Sequence, residues 1–478
     1  MRDNSKENVA SNLLWRLFER FGAQGVTFVV SIILARILEP DIYGIIALVT
    51  IFTSIMQVFV DSGLGNALIQ KKEADDLDFS TVFYFNIIFC LLLYIILFCV
   101  APWISVFYDM PQLTWVFRIL SLTIVISGLK NVQQAYVSRN MLFKKFFFAT
   151  IGGTVGASII GVYMAYHGFG VWALVAQTLF NTSVDTIILW VTVRWRPKRC
   201  FSLERLKTLF SYGWKLLVAK LIDTVYEDVR SLIIGKKYSS VDLALYNRGK
   251  QFPQLAIINI NSSLDSVLFS AMSMEQDDIE RIRNMTSKAI KLTSYIITPI
   301  MVGLAICAKS IVSVVLTDKW LGCVIYMRIF CVASAIVPIT LANLNAIKAI
   351  GRSDIYLKLE MVRKIVNTVS LLVFMWFGVK AIAFSYLLNC FINLLINSYP
   401  NKRILNYGYL NQIKDLFPAV IISLIMGIIT NGIYLFDLPD ICTLMIQIPL
   451  GIIVYTLLSI IFKIEGFGYL YNLVTKKI

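Results

Sequence analysis

The sequence predicts an all-α integral membrane protein. It reads as about fourteen transmembrane helices, two parallel-repeat six-helix lobes around a central cavity plus two extra C-terminal helices. Three observations predict this. Of 478 residues, 58% are hydrophobic and only 15% are charged, where a soluble domain carries about 25% charge. The apolar runs are continuous over about 20 residues, the length of a membrane-crossing helix, and lack the alternation of barrel strands. Short stretches of the first half also recur, in order, in the second.

In chain order the spans are 13–38, 43–68, 79–101, 114–137, 146–166 and 171–193, then 212–235, 245–270, 289–315, 325–348, 355–377 and 381–399, and finally 416–435 and 441–462. The organisation is therefore an N-lobe at 1–193, a cytoplasmic inter-lobe connection at 194–211, a C-lobe at 212–400, and spans thirteen and fourteen with the tail at 401–478. The polar start MRDNSKENVASN lacks the short apolar core and small-residue cleavage site of a signal peptide, so span one is expected to be retained. With the N-terminus inside, the cytoplasmic segments hold 26 Lys and Arg and the outer ones seven. That asymmetry orients both termini toward the cytoplasm. It also accounts for the net charge of +15 without a nucleic-acid domain, for which no soluble segment exists.

The eight cysteines form no CxxC pair and lie mostly in apolar runs, so they read as small core residues. His167, the only histidine, sits in the loop 166–170 and reads as interfacial. No metal site and no cofactor is expected. The connection RWRPKRCFSLERLKTLFSYG (194–213) offers Ser202 as a helix cap, with Glu204 in the first turn. Leu203, Leu206, Leu209 and Phe210 then share one side and Arg205 and Lys207 the other, as in a helix lying on the membrane surface; a plain basic loop is the alternative.

The recurring stretches are Ser62-Gly63-Leu64 with Ser262-Ser263-Leu264, Tyr43 with Tyr246, Arg118-Ile119 with Arg328-Ile329, Arg139 with Arg352, and Phe169-Gly170-Val171 with Phe377-Gly378-Val379. Each unit holds an even number of spans, so the repeat is parallel, with its axis along the membrane normal and a cavity expected between the lobes. Pro299 and Pro338 fall inside spans nine and ten, as hinges or as static kinks.

Span seven, KLLVAKLIDTVYEDVRSLIIGKK (215–237), is too ionised to face lipid. Each of its five central charges costs about 2.5–3.5 kcal/mol to insert, against about −0.5 kcal/mol per aliphatic residue. At helical spacing Lys220, Asp223, Glu227 and Arg230 fall within an arc of about 80°, with Asp228 off it. That face is expected to look into the bundle, as a hydrated cavity wall or as a structural ion-pair ladder. Arg16, Glu19 and Arg20 repeat the theme in span one, near the inner edge. Asp61, Asp185 and Asp265 are further intramembrane acids. Asp61 and Asp265, with Asp223 and Glu227, are candidates for binding H⁺ or Na⁺; a capped or interfacial acid is the other reading.

The stretches ARILEPDIYGIIAL (35–48), DSGLGNALIQ (61–70), GFGVWALVAQ (168–177), SYGWKLL (211–217) and LYNRGKQFPQL (245–255) resemble the bacterial polysaccharide exporters, the Wzx-like lipid-linked oligosaccharide flippases of the multidrug/oligosaccharidyl-lipid/polysaccharide exporter superfamily. The resemblance covers nearly the whole chain and rests on packing and loop signatures. It implies a transporter, not an enzyme. The implied activity moves an undecaprenyl-diphosphate-linked glycan, a repeat unit of O-antigen, capsule, exopolysaccharide or teichuronic acid, from the inner to the outer leaflet of the bacterial cytoplasmic membrane by alternating access. Membrane lipids and a polysaccharide polymerase machinery are the implied partners, and nucleic acid is not. Lys220 and Arg230, with Arg16 and Arg20, suit the diphosphate, while Asp223 and Glu227 hold these cations apart or take a proton. Spacing, not a family motif, selects these residues.

Two other classes compete. A multidrug-type cation antiporter wants an acidic, aromatic-lined cavity, whereas span seven mixes both signs. A membrane-embedded polysaccharide polymerase or glycosyltransferase wants a large outer loop or an acid/base set, and the outer loops are short. No G-x-x-x-x-G-K-[ST] occurs, which argues against ATP hydrolysis.

Overall fold

The computed structural model describes residues 22–61, 64–71, 74–140 and 142–468. Helices dominate. In order they are α1 (Gly22–Ile37), α2 (Pro40–Asp61), α3 (Leu64–Gln70), α4 (Asp76–Tyr108), α5 (Leu113–Leu120), α6 (Leu122–Arg139), α7 (Phe143–Tyr166), α8 (Val171–Thr192) and α9 (Leu203–Lys237). They continue with α10 (Ser240–Ser273), α11 (Ile279–Ile306), α12 (Ala308–Ile311), α13 (Val324–Ala349), α14 (Ser353–Phe374), α15 (Val379–Ile404), α16 (Tyr409–Asn431) and α17 (Asp440–Ile461). A π-helical turn, Val312–Leu316, and a 3₁₀ turn, Asp318–Cys323, join α12 to α13.

Among the described residues ten helices are long and apolar enough to cross a membrane. Helices also occupy the other expected positions, at α1, α9, α10 and α14. Of these, α1 is described only from Gly22, and α9 and α14 are long but carry too many ionised residues to pass on composition. The surface inverts the soluble pattern. Ile88, Val191, Ile428 and Met445 are exposed, while Asn86, Asn343, Ser385 and Gln447 are buried. Lipid accepts the first set, and the second finds hydrogen bonds only among helices.

The chain forms two compact units, Met1–Ala244 and Leu245–Ile478. Chain order groups α9 with the second six-span block, but its neighbours are α2, α3 and α4 of the first unit. Gly235 of α9 lies so close to Leu48 of α2 that a Cβ would come within 2.5 Å of a leucine methyl.

The basic connection after α8 is not a free loop. It is clasped by the acids that start α4. Asp75 caps that helix, its carboxylate accepting from the Asp78 amide at 2.9 Å while Asp78 accepts from the Asp75 amide at 3.2 Å. This bond from the Asp78 amide holds the Asp75 carboxyl below the usual carboxylate range. Asp76 accepts from Trp195 Nε1 at 3.2 Å and pairs with Lys198 at 2.6 Å, which raises the Lys198 ammonium above its ordinary value. The fully buried Asp78 pairs with Lys71 at 2.5 Å and Arg205 at 3.6 Å. Ser202 then caps α9, accepting from the Arg205 amide at 3.4 Å. A helix does start at Ser202 as expected, but it is not a separate surface segment: it runs unbroken into span seven.

Two of the expected repeat pairs are equivalent in structure. Arg118 donates Nε to the Phe98 carbonyl on α4, and Arg328 donates Nε to the Ala305 carbonyl on α11, both at 3.2 Å. Gly170 and Gly378 both precede a helix that starts with valine, at φ 53° and 101°, a backbone region open to glycine at no steric cost. Ser62 and Gly63, and the side chains of 262–264, lie outside the described residues. Pro299 and Pro338 sit within continuous α11 and α13.

Candidate functional site

Within the first unit α9 packs on α2, α3 and α4 and leaves Lys220, Asp223 and Glu227 exposed. Arg230, one turn beyond Glu227 on the same arc, is only 7% exposed. Asp228, off that arc, is half-buried and accepts from Ser54 Oγ of α2 at 3.4 Å. At its C-terminal end the helix is tied down by Lys236, which bonds the Phe107 carbonyl, lies 3.3 Å from Asp109 and sits over the Phe107 ring. The expected stripe therefore divides. Its first three members are open and carry both signs; its last member is inside the helix packing. An exposed face of this kind, on a helix between membrane-crossing neighbours, meets water or a polar ligand at lower cost than acyl chains.

Arg16, Glu19 and Arg20 lie outside the described residues, as does the side chain of Asp61 at the end of α2. The other intramembrane acids have partners that the sequence did not single out. Asp185 of α8 pairs with Lys130 of α6 at 2.6 Å, both nearly buried. Asp265 of α10 lies 3.5 Å from Lys348 of α13. The Lys348 ammonium also sits over the rings of Phe269 and Tyr356, at 5.8 and 5.6 Å, a cation–π arrangement. His167 ends α7 as an exposed residue, with Nδ1 2.8 Å from the Tyr163 carbonyl and its ring against Tyr163.

The second unit carries a polar seam that a search for charge passes over. Asn389, Asn393, Asn397 and Asn401 recur every fourth residue along α15, which places them on one face. At one end Asn401 Nδ2 donates to Asn343 Oδ1 at 2.7 Å. Asn343 Nδ2 donates to Gln412 Oε1 at 2.9 Å, and Gln412 Nε2 returns a bond to Asn343 Oδ1 at 3.1 Å. Ser398 donates to Gln412 Oε1 at 2.9 Å. Further along, the amides of the buried Asn345, Asn389 and Asn397 find no hydrogen-bond partner among the described residues. Glu360 of α14 holds Arg363 on its own helix and accepts from Tyr356 at 3.2 Å. The four-residue asparagine spacing was the available signal.

Asn343→Ala leaves the facing groups of Asn401 and Gln412 buried and unmet. A loss of about 2–3 kcal/mol is expected, measured as a lowered unfolding midpoint of the purified protein in detergent.

The same architecture occurs in solved transporters. An inward closed structure of the lipid II flippase MurJ superposes with a TM-score of 0.74 over 94% of this chain and 98% of that one, at 16% identity. An inward-facing multidrug resistance MATE family transporter of the MOP superfamily superposes with a TM-score of 0.60 over 82% of this chain and 95% of that one, also at 16% identity. At that identity the likeness is one of fold. Among sequences, the succinoglycan biosynthesis transport protein ExoT of Rhizobium meliloti is 22% identical over 76% of this chain and 73% of its own. The teichuronic acid biosynthesis protein TuaB of Bacillus subtilis is 22% identical over 85% and 86%. Residues 33–325, more than half of the chain, match the family model described as polysaccharide biosynthesis protein. With an all-helical membrane fold, the motifs at 35–48, 168–177 and 245–255 inside that matched region, and relatives along most of its length, the chain is a Wzx-like member of the polysaccharide biosynthesis protein family.

Proposed function

We propose that the protein flips an undecaprenyl-diphosphate-linked oligosaccharide from the inner to the outer leaflet of the bacterial cytoplasmic membrane by alternating access, with both termini cytoplasmic. The observation that carries this is the exposed, two-signed face of α9, on a helix held among membrane-crossing neighbours. A diphosphate and several sugars cross hydrocarbon only where ionised and polar groups replace water. Lys220 meets the diphosphate by a charge-assisted bond, and Arg230, from its buried place in the next turn, adds positive potential. Arg16 and Arg20 contribute from span one. Asp223 and Glu227 separate the cations when the site is empty and accept sugar hydroxyls or a proton when it is filled. The succinoglycan transport and teichuronic acid biosynthesis in the relatives' names support the same class of cargo. The two six-span blocks of the chain repeat one another, a reading supported by the paired arginines and glycines.

The test is reconstitution. Full-length protein in liposomes receives a fluorescent undecaprenyl-diphosphate-linked oligosaccharide in one leaflet, and a membrane-impermeant reductant scores its arrival in the other. Protein-dependent exchange is expected. Vesicles that exchange no more label than empty ones, yet extrude ethidium against a cation gradient, would replace this function with cation antiport.

A further inference from the structure

Where α16 begins and α17 ends, the second unit forms an open cavity of about 480 Å³. Its wall is divided by chemistry. Phe417, Ile421 and Phe462 form an apolar side; Lys291, Lys414 and Lys463 bring ammonium groups. The two acids in the wall are already engaged. Asp415 accepts from Ser287 Oγ at 2.5 Å and Tyr407 Oη at 2.6 Å and lies 3.5 Å from Lys291 Nζ. Glu465 lies 2.7 Å from the same Nζ. Lys291 is therefore neutralised, whereas Lys414 and Lys463 are exposed and form no ion pair with a described residue. Lys463 also holds φ at 49°, the left-handed region that a lysine seldom adopts. That turn ends α17 and folds the chain back until Gly466 rests on Tyr295, where a Cβ would come within 2.6 Å of the ring. The backbone outlier thus sets an unpaired cation at the mouth of the cavity.

A second observation concerns what leads away from it. Exposed apolar side chains continue along both helices, through Phe417, Leu424 and Ile428 on α16 and from Phe462, just past the end of α17, back through Ile461 and Leu457. A small soluble anion would use the lysines and leave this track bare. A lipid uses both, since its phosphate needs cations at the helix ends and its chains need an apolar wall.

We infer that this cavity holds an anionic membrane phospholipid, phosphatidylglycerol or cardiolipin, with its phosphate between Lys414 and Lys463 and an acyl chain along Phe417 and Phe462. The cavity is lined by residues of the second unit alone, and the inference does not depend on what the face of α9 carries.

Native mass spectrometry tests it on the full-length protein released from micelles with equal phosphatidylcholine, phosphatidylglycerol and cardiolipin. Wild type is expected to retain the anionic lipids over phosphatidylcholine. A Lys414→Gln, Lys463→Asn double variant should bind them about 25-fold less well, at about fivefold per lysine. Asparagine is chosen at 463 because it tolerates left-handed backbone, so the fold is kept, as an unchanged unfolding midpoint will verify. Lys414→Arg should retain the lipid. Equal retention of phosphatidylcholine, wild-type binding by the double variant, or displacement of the lipid by excess inorganic phosphate would each overturn the assignment.

Discussion

A Lys220→Gln, Arg230→Gln double variant is expected to lose glycan-lipid translocation by a factor of about 100 or more while the protein accumulates at its normal level. The charge-assisted contact from Lys220 contributes about 1.5–3 kcal/mol, and losing the positive potential of Arg230 beside it takes the total past the roughly 2.7 kcal/mol that a factor of 100 represents. The single variants separate the roles. Lys220 is exposed and Arg230 is 7% exposed, so Lys220→Gln should lower exchange in the liposome assay with no change in unfolding midpoint. Arg230→Gln should lower both, because its loss also disturbs the packed turn of α9. Wild-type exchange by the double variant would remove both residues from the pathway.

The second large effect is one of stability. Asp78→Ala removes the one buried carboxylate that Lys71 and Arg205 share and the acceptor for the Asp75 amide. Breaking a buried ion pair from one side costs about 3–5 kcal/mol, and here it also removes one of the ties between the start of α9 and α4. The variant should unfold at a lower midpoint and expose the 194–202 connection to protease. Equal midpoints for variant and wild type would mean that the clasp is ornamental to the fold. The neighbouring cap has a definite pH sign. Asp75 is held below its ordinary pKa, so its contribution is full above the usual carboxylate range and fades only as pH falls through the lowered value.

The helical membrane fold was legible because hydrocarbon imposes it. Uninterrupted apolar runs such as 79–101 and 441–462 have no other stable form, and α4 and α17 follow them closely. The polar helices were legible only in part. The charge of α9 was visible, and so was its cap at Ser202. Its continuity was not, since nothing in 203–237 marks where a surface segment should become a span. Trp195, Lys198 and Arg205 find partners more than a hundred residues away, and a one-dimensional pattern carries no such pairing. Asp185 looked like an isolated acid because Lys130 is 55 positions away. The asparagine face of α15 was missed because amides are uncharged; its four-residue recurrence is as clear as that of any ionised stripe. Arg118 and Arg328 looked like a weak sequence match, and only their identical bonds to Phe98 and Ala305 give that match physical content.

The unbroken course of α9 has a mechanical corollary. Thirty-five residues make a rod of about 52 Å, well beyond the roughly 30 Å of hydrocarbon, so a substantial overhang projects from the bilayer and is gripped there by aspartates. A shaft held by aspartates at its start and by Lys236 at its end, and ionised at its middle, transmits any twist of its anchorage to the groups proposed to meet cargo. Inserting a glycine pair near position 213 should decouple the two without touching either.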